Sequence, residues 1–212
     1  MSWLDKEQYS NKNQRLPSLR KKTYNSSMDS VDKAFREIHR ADFLPEASRK
    51  YADIDAPLPI GFDQTNSQPS TVRQMLEWLD VEQGHKVLDI GSGSGWTTAL
   101  LATIVGPNGQ VFAVEKIPEL LNFGRNNCER LTIKNTNFFQ SKKVYGLPEY
   151  APFDRILVSA AAQEIPNELL SQLKIDGKMV LPVKNDILVI TKISSTEYEI
   201  IKRPGFIFVP LV

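Results

Sequence analysis

Apolar positions along the chain change their period twice. Val31, Ala34, Phe35 and Ile38 recur at helical spacing, with Asp29 or Ser30 placed to cap a helix running through His39. From Phe43 to Pro69 that period is lost. Pro45, Pro57, Pro59 and Pro69, among several aspartates, predict an ordered but irregular crossing segment. Val72, Met75, Leu76 and Leu79 restore a helix over residues 70–79, and Gly84 marks the turn after it. Short apolar runs then alternate with amphipathic stretches. VLDI (87–90) is followed by a helix over 97–105, stopped by Gly106 and Pro107. QVFAVE (110–115) precedes a helix over 118–130 with proline in its first turn. A weaker strand (137–140), RILVSA (155–160), a helix over 165–173 and KMVLPV (178–183) continue the alternation. DILVITKI (186–193) and EYEIIKR (197–203) read as a hairpin around residues 194–196.

Strands alternating with helices imply an α/β fold, doubly wound around a mainly parallel sheet. The late hairpin predicts antiparallel strands at one edge, and the first helix an N-terminal helical extension. Residues 1–26, rich in Ser, Asn, Lys and Arg, are expected to be loosely attached, with a short helix over 16–22; residues 27–212 form a single domain.

Composition narrows the function classes. The 212 residues are 41% hydrophobic and 24% charged, enough for one buried core. A net charge of +1 calls for neither nucleic acid nor a membrane surface as partner. The single cysteine, Cys128, excludes an internal disulfide and a cysteine metal cluster, and His39 and His85 alone make no histidine-rich metal site. The first residues lack the apolar core of a signal peptide, and no apolar run approaches membrane-spanning length. A soluble, cytoplasmic protein is expected. Cys128 reads as a small core residue, both histidines as surface residues, and Arg20, Lys21 and Lys22 as a solvated face.

The chemistry concentrates in Gly91-Ser92-Gly93-Ser94-Gly95, which follows a strand and opens a helix. Glycines let the backbone turn tightly and approach a ligand, and the helix N-terminus offers free N–H groups. The third glycine comes one residue earlier than dinucleotide folds favour. Gly-x-Gly-x-Gly after the acidic Asp89 is the pattern expected for S-adenosylmethionine, which has no pyrophosphate to cradle. Glu115, at the end of the second strand, stands where an acid would accept both ribose hydroxyls. Taken alone, it is a solvated strand-end charge.

The chain resembles the protein-L-isoaspartate (D-aspartate) O-methyltransferases over roughly residues 16–212. The motifs are AFREIHRADFLP (34–45), PLPIGFDQTNSQP (57–69), VLDIGSGSGW (87–96), VEKIPEL (114–120), GLPEYAPFDRILVSAAAQEIP (146–166), GKMVLPV (177–183) and FVPLV (208–212). The resemblance implies a Rossmann-like methyltransferase fold. It also implies an enzyme that transfers a methyl group from S-adenosyl-L-methionine to the α-carboxylate of L-isoaspartyl residues in damaged proteins or peptides; a monomer is expected. The ester then closes to a succinimide, whose hydrolysis returns part of the material to normal aspartyl linkage. The family's active-site serine falls on Ser67. Its neighbours Thr65, Asn66 and Gln68 fall in the cofactor and substrate wall. Asp89, Gly91, Ser92, Gly93, Gly95, Glu115, Lys116 and Lys142 complete the implied cofactor site, with no metal. Ala160, Ala161 and Ala162, with Leu181, Pro182 and Val183, map to the side that meets the substrate backbone.

The residues suit that chemistry. A carboxylate is already ionised and nucleophilic at neutral pH, so methyl transfer to it needs no general base. What remains is in-line positioning, for which a hydroxyl such as Ser67 suffices. The plain structural reading of Ser67 is a turn hydroxyl beside Pro69.

Three places depart from the family pattern. Ser141-Lys142-Lys143 stands for the usual Gly-Asp-Gly, removing a carboxylate expected at the adenine amino group. Asp63 stands for a glycine and Asn66 for an apolar residue. Lys184-Asn185 replaces a longer, glutamine-bearing loop. These departures keep open a non-catalytic peptide-recognition module, or a methyltransferase with another acceptor. The early third glycine disfavours a nicotinamide oxidoreductase. Trp96, where the family often has tyrosine, reads as packing under the loop.

Overall fold

The computed structural model describes residues 25–211. The expected loose segment and short helix before residue 25, and the basic run Arg20, Lys21 and Lys22, lie outside the described residues. Asn25 and Ser26 already belong to the first helix, α1 (Asn25–Glu37). That helix therefore starts before the expected cap and ends two residues short of His39. Asp29 and Ser30 sit inside it, where such residues cost under about 1 kcal/mol. Burial of Val31 and Ala34 outweighs that cost.

The crossing segment is more regular than its prolines suggest. A 3-10 turn (Arg40–Phe43) and the short helix α2 (Glu46–Arg49) lead into β1 (Leu58–Gly61) and β2 (Gln64–Asn66), a small antiparallel hairpin. Sequence alone hides it, because Pro59 argues against a strand and each arm is very short. Its tip explains one departure from the family pattern. Phe62 and Asp63 have φ of 55° and 56°, the left-handed pair of a tight hairpin turn. Aspartate tolerates that region where a branched residue would not. Asp63 is an exposed tip residue.

The remaining elements follow the expected alternation: α3 (Pro69–Leu79), β3 (Lys86–Ile90), α4 (Trp96–Val105), β4 (Gln110–Glu115), α5 (Pro118–Arg130), β5 (Thr136–Gln140), β6 (Phe153–Val158), α6 (Asn167–Gln172), β7 (Leu173–Val183), β8 (Asp186–Lys192) and β9 (Tyr198–Pro204). The seven-stranded sheet has the order β5-β4-β3-β6-β7-β8-β9. Strands β5 to β7 run parallel, and β8 and β9 form the antiparallel edge. The helix expected over 165–173 is shorter and β7 longer than predicted. Leu173 pairs with Phe153 and so enters the sheet early.

Successive strand residues feed opposite faces. Val87 joins the core under α1, α3 and α4 with Leu76, Leu100 and Val180, while Leu88 joins Phe112, Ile156, Leu169 and Met179 on the other side. Burial on both faces is why these strands read as unbroken apolar runs. Among the described residues, no helix is long and apolar enough to cross a membrane.

Candidate active site

The strand order reverses at β3, with β4 and β5 on one side and β6 and β7 on the other. Open α/β sheets form their ligand crevice outside the carboxyl ends of the strands at such a switch point. A cavity of about 960 Å³, including its open mouth, lies there. It is lined by the strand ends Ile90, Glu115, Ser141 and Ser159, and by the glycine loop. It also takes in the hairpin from Ile60 and Gln64 to Ser67 and the C-terminal residues Val209 to Leu211.

The glycine loop turns through three left-handed positions, with φ of 74° at Gly91, 52° at Gly93 and 86° at Gly95. Its floor is a backbone-to-backbone contact with Gly124 of α5. A Cβ on Gly95 would lie 2.8 Å from the Gly124 carbonyl oxygen, and one on Gly124 would lie 2.9 Å from that of Gly93. Asn127 Nδ2 donates to the Ser94 carbonyl at 3.0 Å, and the Cys128 thiol lies 3.8 Å from the Gly95 carbonyl. Cys128 is thus a core residue, as expected, and burial pushes its thiol up to about 12.

The Glu115 carboxylate is held by backbone donors. Oε2 accepts from Gly93 N–H at 2.8 Å, and Oε1 accepts from Lys116 N–H at 2.8 Å and Ile117 N–H at 3.0 Å. The acid is thereby locked to the glycine loop at the crevice floor. Asp89 lies beneath, fully buried. Its Oδ2 accepts from the Thr97 and Thr98 hydroxyls at 3.0 and 2.7 Å, bracing the start of α4. Burial, with Glu115 adding to it, pushes its carboxyl up to about 6 against those two hydrogen bonds.

The structure gathers most of the expected residues into one cavity. Thr65, Asn66, Ser67, Gly91, Ser92, Gly93, Glu115 and Lys116 all line it, and Ser67 is half-buried there. Gly95 supports the loop from below, and Asp89 does so from the strand. Two expected residues face elsewhere. Gln68 Nε2 donates to Asp55 Oδ2 at 3.0 Å, and Lys142 Nζ pairs with Glu149 Oε1 at 2.8 Å with most of its side chain exposed. In the Ser141-Lys142-Lys143 segment it is Ser141 that lines the cavity, tied through its N–H to the Glu115 carbonyl at 2.9 Å. Asn66 is buried, and its amide bonds to Arg40 and Ser94. Trp96 packs edge-on against Phe35, at 5.6 Å between ring centroids, and also reaches the cavity wall. His39 is exposed as expected, whereas His85 is half-buried and accepts from the Glu82 N–H.

The opposite wall is built by pairing. Ala161 N–H donates to the Val209 carbonyl and Leu211 N–H to the Ala161 carbonyl, each at 2.8 Å. Ala162 N–H donates to the Pro182 carbonyl at 3.0 Å. Val209 to Leu211 of the terminal FVPLV motif thus line the site beside Ala160, a role sequence alone did not assign to them. Gly124 also escaped notice, although a glycine inside a helix usually has a packing reason.

The donor set fits a nucleoside carrying a charged amino-acid tail. Ser92 and Trp96 border the cavity, and their Oγ and Nε1 atoms are buried with no partner among the described residues. Buried donors are rarely left unpaired except where a ligand completes them. Ile117, Leu120 and Tyr145 add apolar surface for a flat base.

Known proteins of similar sequence and shape identify the family. The profile of the protein-L-isoaspartate(D-aspartate) O-methyltransferase family matches residues 10–212. A protein-L-isoaspartate O-methyltransferase of Methanothrix thermoacetophila is 41% identical over 204 residues, covering 95% of this chain and 94% of that protein. One of Methanococcoides burtonii is 42% identical over 191 residues, covering 89% and 94%. A solved protein-L-isoaspartate O-methyltransferase superposes with a TM-score of 0.81 at 30% identity, covering 87% of this chain and 61% of that one. A Plasmodium falciparum protein, described as a protein-L-isoaspartate O-methyltransferase in complex with S-adenosyl-L-homocysteine, superposes at 0.76 with 26% identity, covering 87% and 90%.

Proposed function

The chain belongs to the protein-L-isoaspartate (D-aspartate) O-methyltransferase family, and from that premise we infer how its own residues divide the work. It is an S-adenosylmethionine-dependent enzyme that methylates the carboxylate of L-isoaspartyl residues in proteins or peptides. One observation carries the assignment of roles. The half-buried Ser67, the glycine loop with Glu115, and the wall formed by Ala160 and the C-terminal segment open onto a single cavity.

S-adenosylmethionine, when bound, supplies a methyl group on a sulfonium. Glu115, Gly91, Ser92 and Gly93 hold its ribose and amino-acid portions. Ile117, Leu120, Ser141 and Tyr145 border the base, and Lys142 takes no part in that contact. Ser67 donates its hydroxyl to the incoming carboxylate and orients it. Such a bond is strong enough to fix direction without removing the nucleophile's charge. No residue is required to move a proton, because the acceptor is already ionised. The Ala160 turn and β7 end hold the backbone of the substrate.

Its acceptors are protein or peptide substrates, and we propose that it works on them as a monomer, without nucleic acid or membrane. Residues 27–212 are its catalytic unit, and its single free thiol, buried at Cys128, suits the cytoplasm.

Labelled methyl transfer to an isoaspartyl peptide beside its normal aspartyl twin tests this reading. Label should enter the first alone, and equal labelling would end it. Ser67→Ala should lower turnover about 10–100-fold while leaving S-adenosylhomocysteine affinity within about threefold. An unchanged rate would leave Ser67 as a turn residue only.

A further inference from the structure

Arg40 opens the 3-10 turn after α1, far from Ser67 in sequence, yet it is only 6% exposed and its guanidinium is spent on the crossing segment. Nε donates to Asn66 Oδ1 at 2.7 Å. Nη1 donates to the carbonyls of Ala52 at 3.3 Å and Ile54 at 2.9 Å. Nη2 donates to the carbonyls of Ala56 at 2.8 Å, Asn66 at 3.1 Å and Ser67 at 3.0 Å. The guanidinium also lies over the Trp96 ring, 5.5 Å from its centroid. Asn66 extends the contact, since its Nδ2 donates to Ser94 Oγ at 3.2 Å. A continuous path therefore runs from the Ser67 carbonyl through Arg40 and Asn66 to the glycine loop.

Among the described residues, every hydrogen-bond acceptor of this buried cation is a neutral amide oxygen. The Asp55 charge acts on it from nearby without a hydrogen bond, and taking a charge out of water with no carboxylate in direct contact is costly. What the guanidinium supplies is geometry. A planar fork reaches carbonyls on both sides, which a lysine ammonium, a point charge on a flexible stem, does not.

The geometry points to Arg40 as a positioning residue for Ser67, acting with Asn66 to hold the serine-bearing segment at a set height above the glycine loop. This rests on the reading of Ser67 as the group that orients the acceptor carboxylate. Arg40 donates to the backbone of Ser67 and not to substrate, so its effect on rate passes through the hydroxyl it places. Displacing a reacting group by about 1 Å costs on the order of 100-fold in rate.

The test is a double-mutant cycle on the full-length enzyme, using an isoaspartyl peptide, with S-adenosylhomocysteine titration and thermal melting of each variant. Arg40→Lys should lower kcat about 10–100-fold in the native background and less than about twofold in the Ser67→Ala background. Inhibitor affinity should stay within about threefold. Asn66→Ala, which spares the Arg40 bonds to the Ala52, Ile54 and Ala56 carbonyls, should show the same non-additivity with a loss of about 3–10-fold, and it serves if Arg40→Lys does not fold. A purely structural role would lower the active fraction equally in both backgrounds and lower inhibitor stoichiometry with it. That result, or a native kcat in Arg40→Lys, overturns the inference while Ser67→Ala still reports on Ser67 by itself. A native kcat in Ser67→Ala removes both readings.

Discussion

Gly124→Ala sets two known effects against each other. A glycine inside a helix normally gains about 1 kcal/mol when replaced by alanine. Here the added methyl would lie 2.9 Å from the Gly93 carbonyl oxygen, 3.1 Å from the Gly95 nitrogen and 3.2 Å from the Ser94 carbonyl carbon. All three obstacles are backbone atoms of the cofactor loop, so no side chain can swing aside. Overpacking costs about 1–3 kcal/mol, and a backbone obstacle belongs in the upper half of that range. The net is a destabilisation of about 1–2 kcal/mol, or a fall of about 2–8 °C in Tm for a domain of this size. The loop must also lift from α5, taking Gly93 away from Glu115. S-adenosylhomocysteine affinity should then fall about tenfold, equivalent to about 1.4 kcal/mol. Calorimetric melting and isothermal titration measure the two. A variant that melts higher, with unchanged affinity, would show that helix propensity outweighs the contact and that the loop does not depend on it.

Lys142→Ala should leave S-adenosylhomocysteine affinity within about twofold, because the ammonium pairs with Glu149 outside the cavity and such exposed pairs contribute little; tenfold weaker binding would put Lys142 at the cofactor. Burial raises the Asp89 carboxyl from its ordinary 3.8 to about 6, so the folded state keeps a proton that the unfolded chain releases. Its contribution to stability is fully present below the lower value and is lost as pH rises through the higher one, by up to about 3 kcal/mol. Stability of the native protein relative to Asp89→Asn should therefore fall between about pH 4 and pH 7, and parallel stability curves would refute the assignment. Cys128 is buried with its thiol pushed up to about 12, so a thiol reagent should label it only after unfolding; stoichiometric labelling of native protein would contradict the packing under the glycine loop.

Local rules are enough for the alternation of strands and helices, the glycine loop and the late hairpin. The period of Val72, Met75, Leu76 and Leu79, the unbroken apolar runs at 87–90 and 178–183, and the proline opening α5 each act within a few residues. Glu115 was legible for the same reason, since the end of a strand after a glycine loop is set by spacing. The family motifs brought Ser67 into view without saying what holds it.

Other features depend on which segments meet, and no local pattern encodes that. Arg40 became a brace only when the chain from Ala52 to Ser67 folded back around its guanidinium. Gly124 mattered once α5 pressed against the Gly93 carbonyl. The Val209 to Leu211 segment became a wall by pairing with Ala161. Gln68 and Lys142, which the motif alignment brought to the cofactor, were turned away by the nearer partners Asp55 and Glu149. Sequence determined the elements and the chemical types available, because propensity, period and turn chemistry are local. Only the tertiary structure decided which side chains share the cavity, because long-range hydrogen bonds and close backbone contacts exist only after those elements pack.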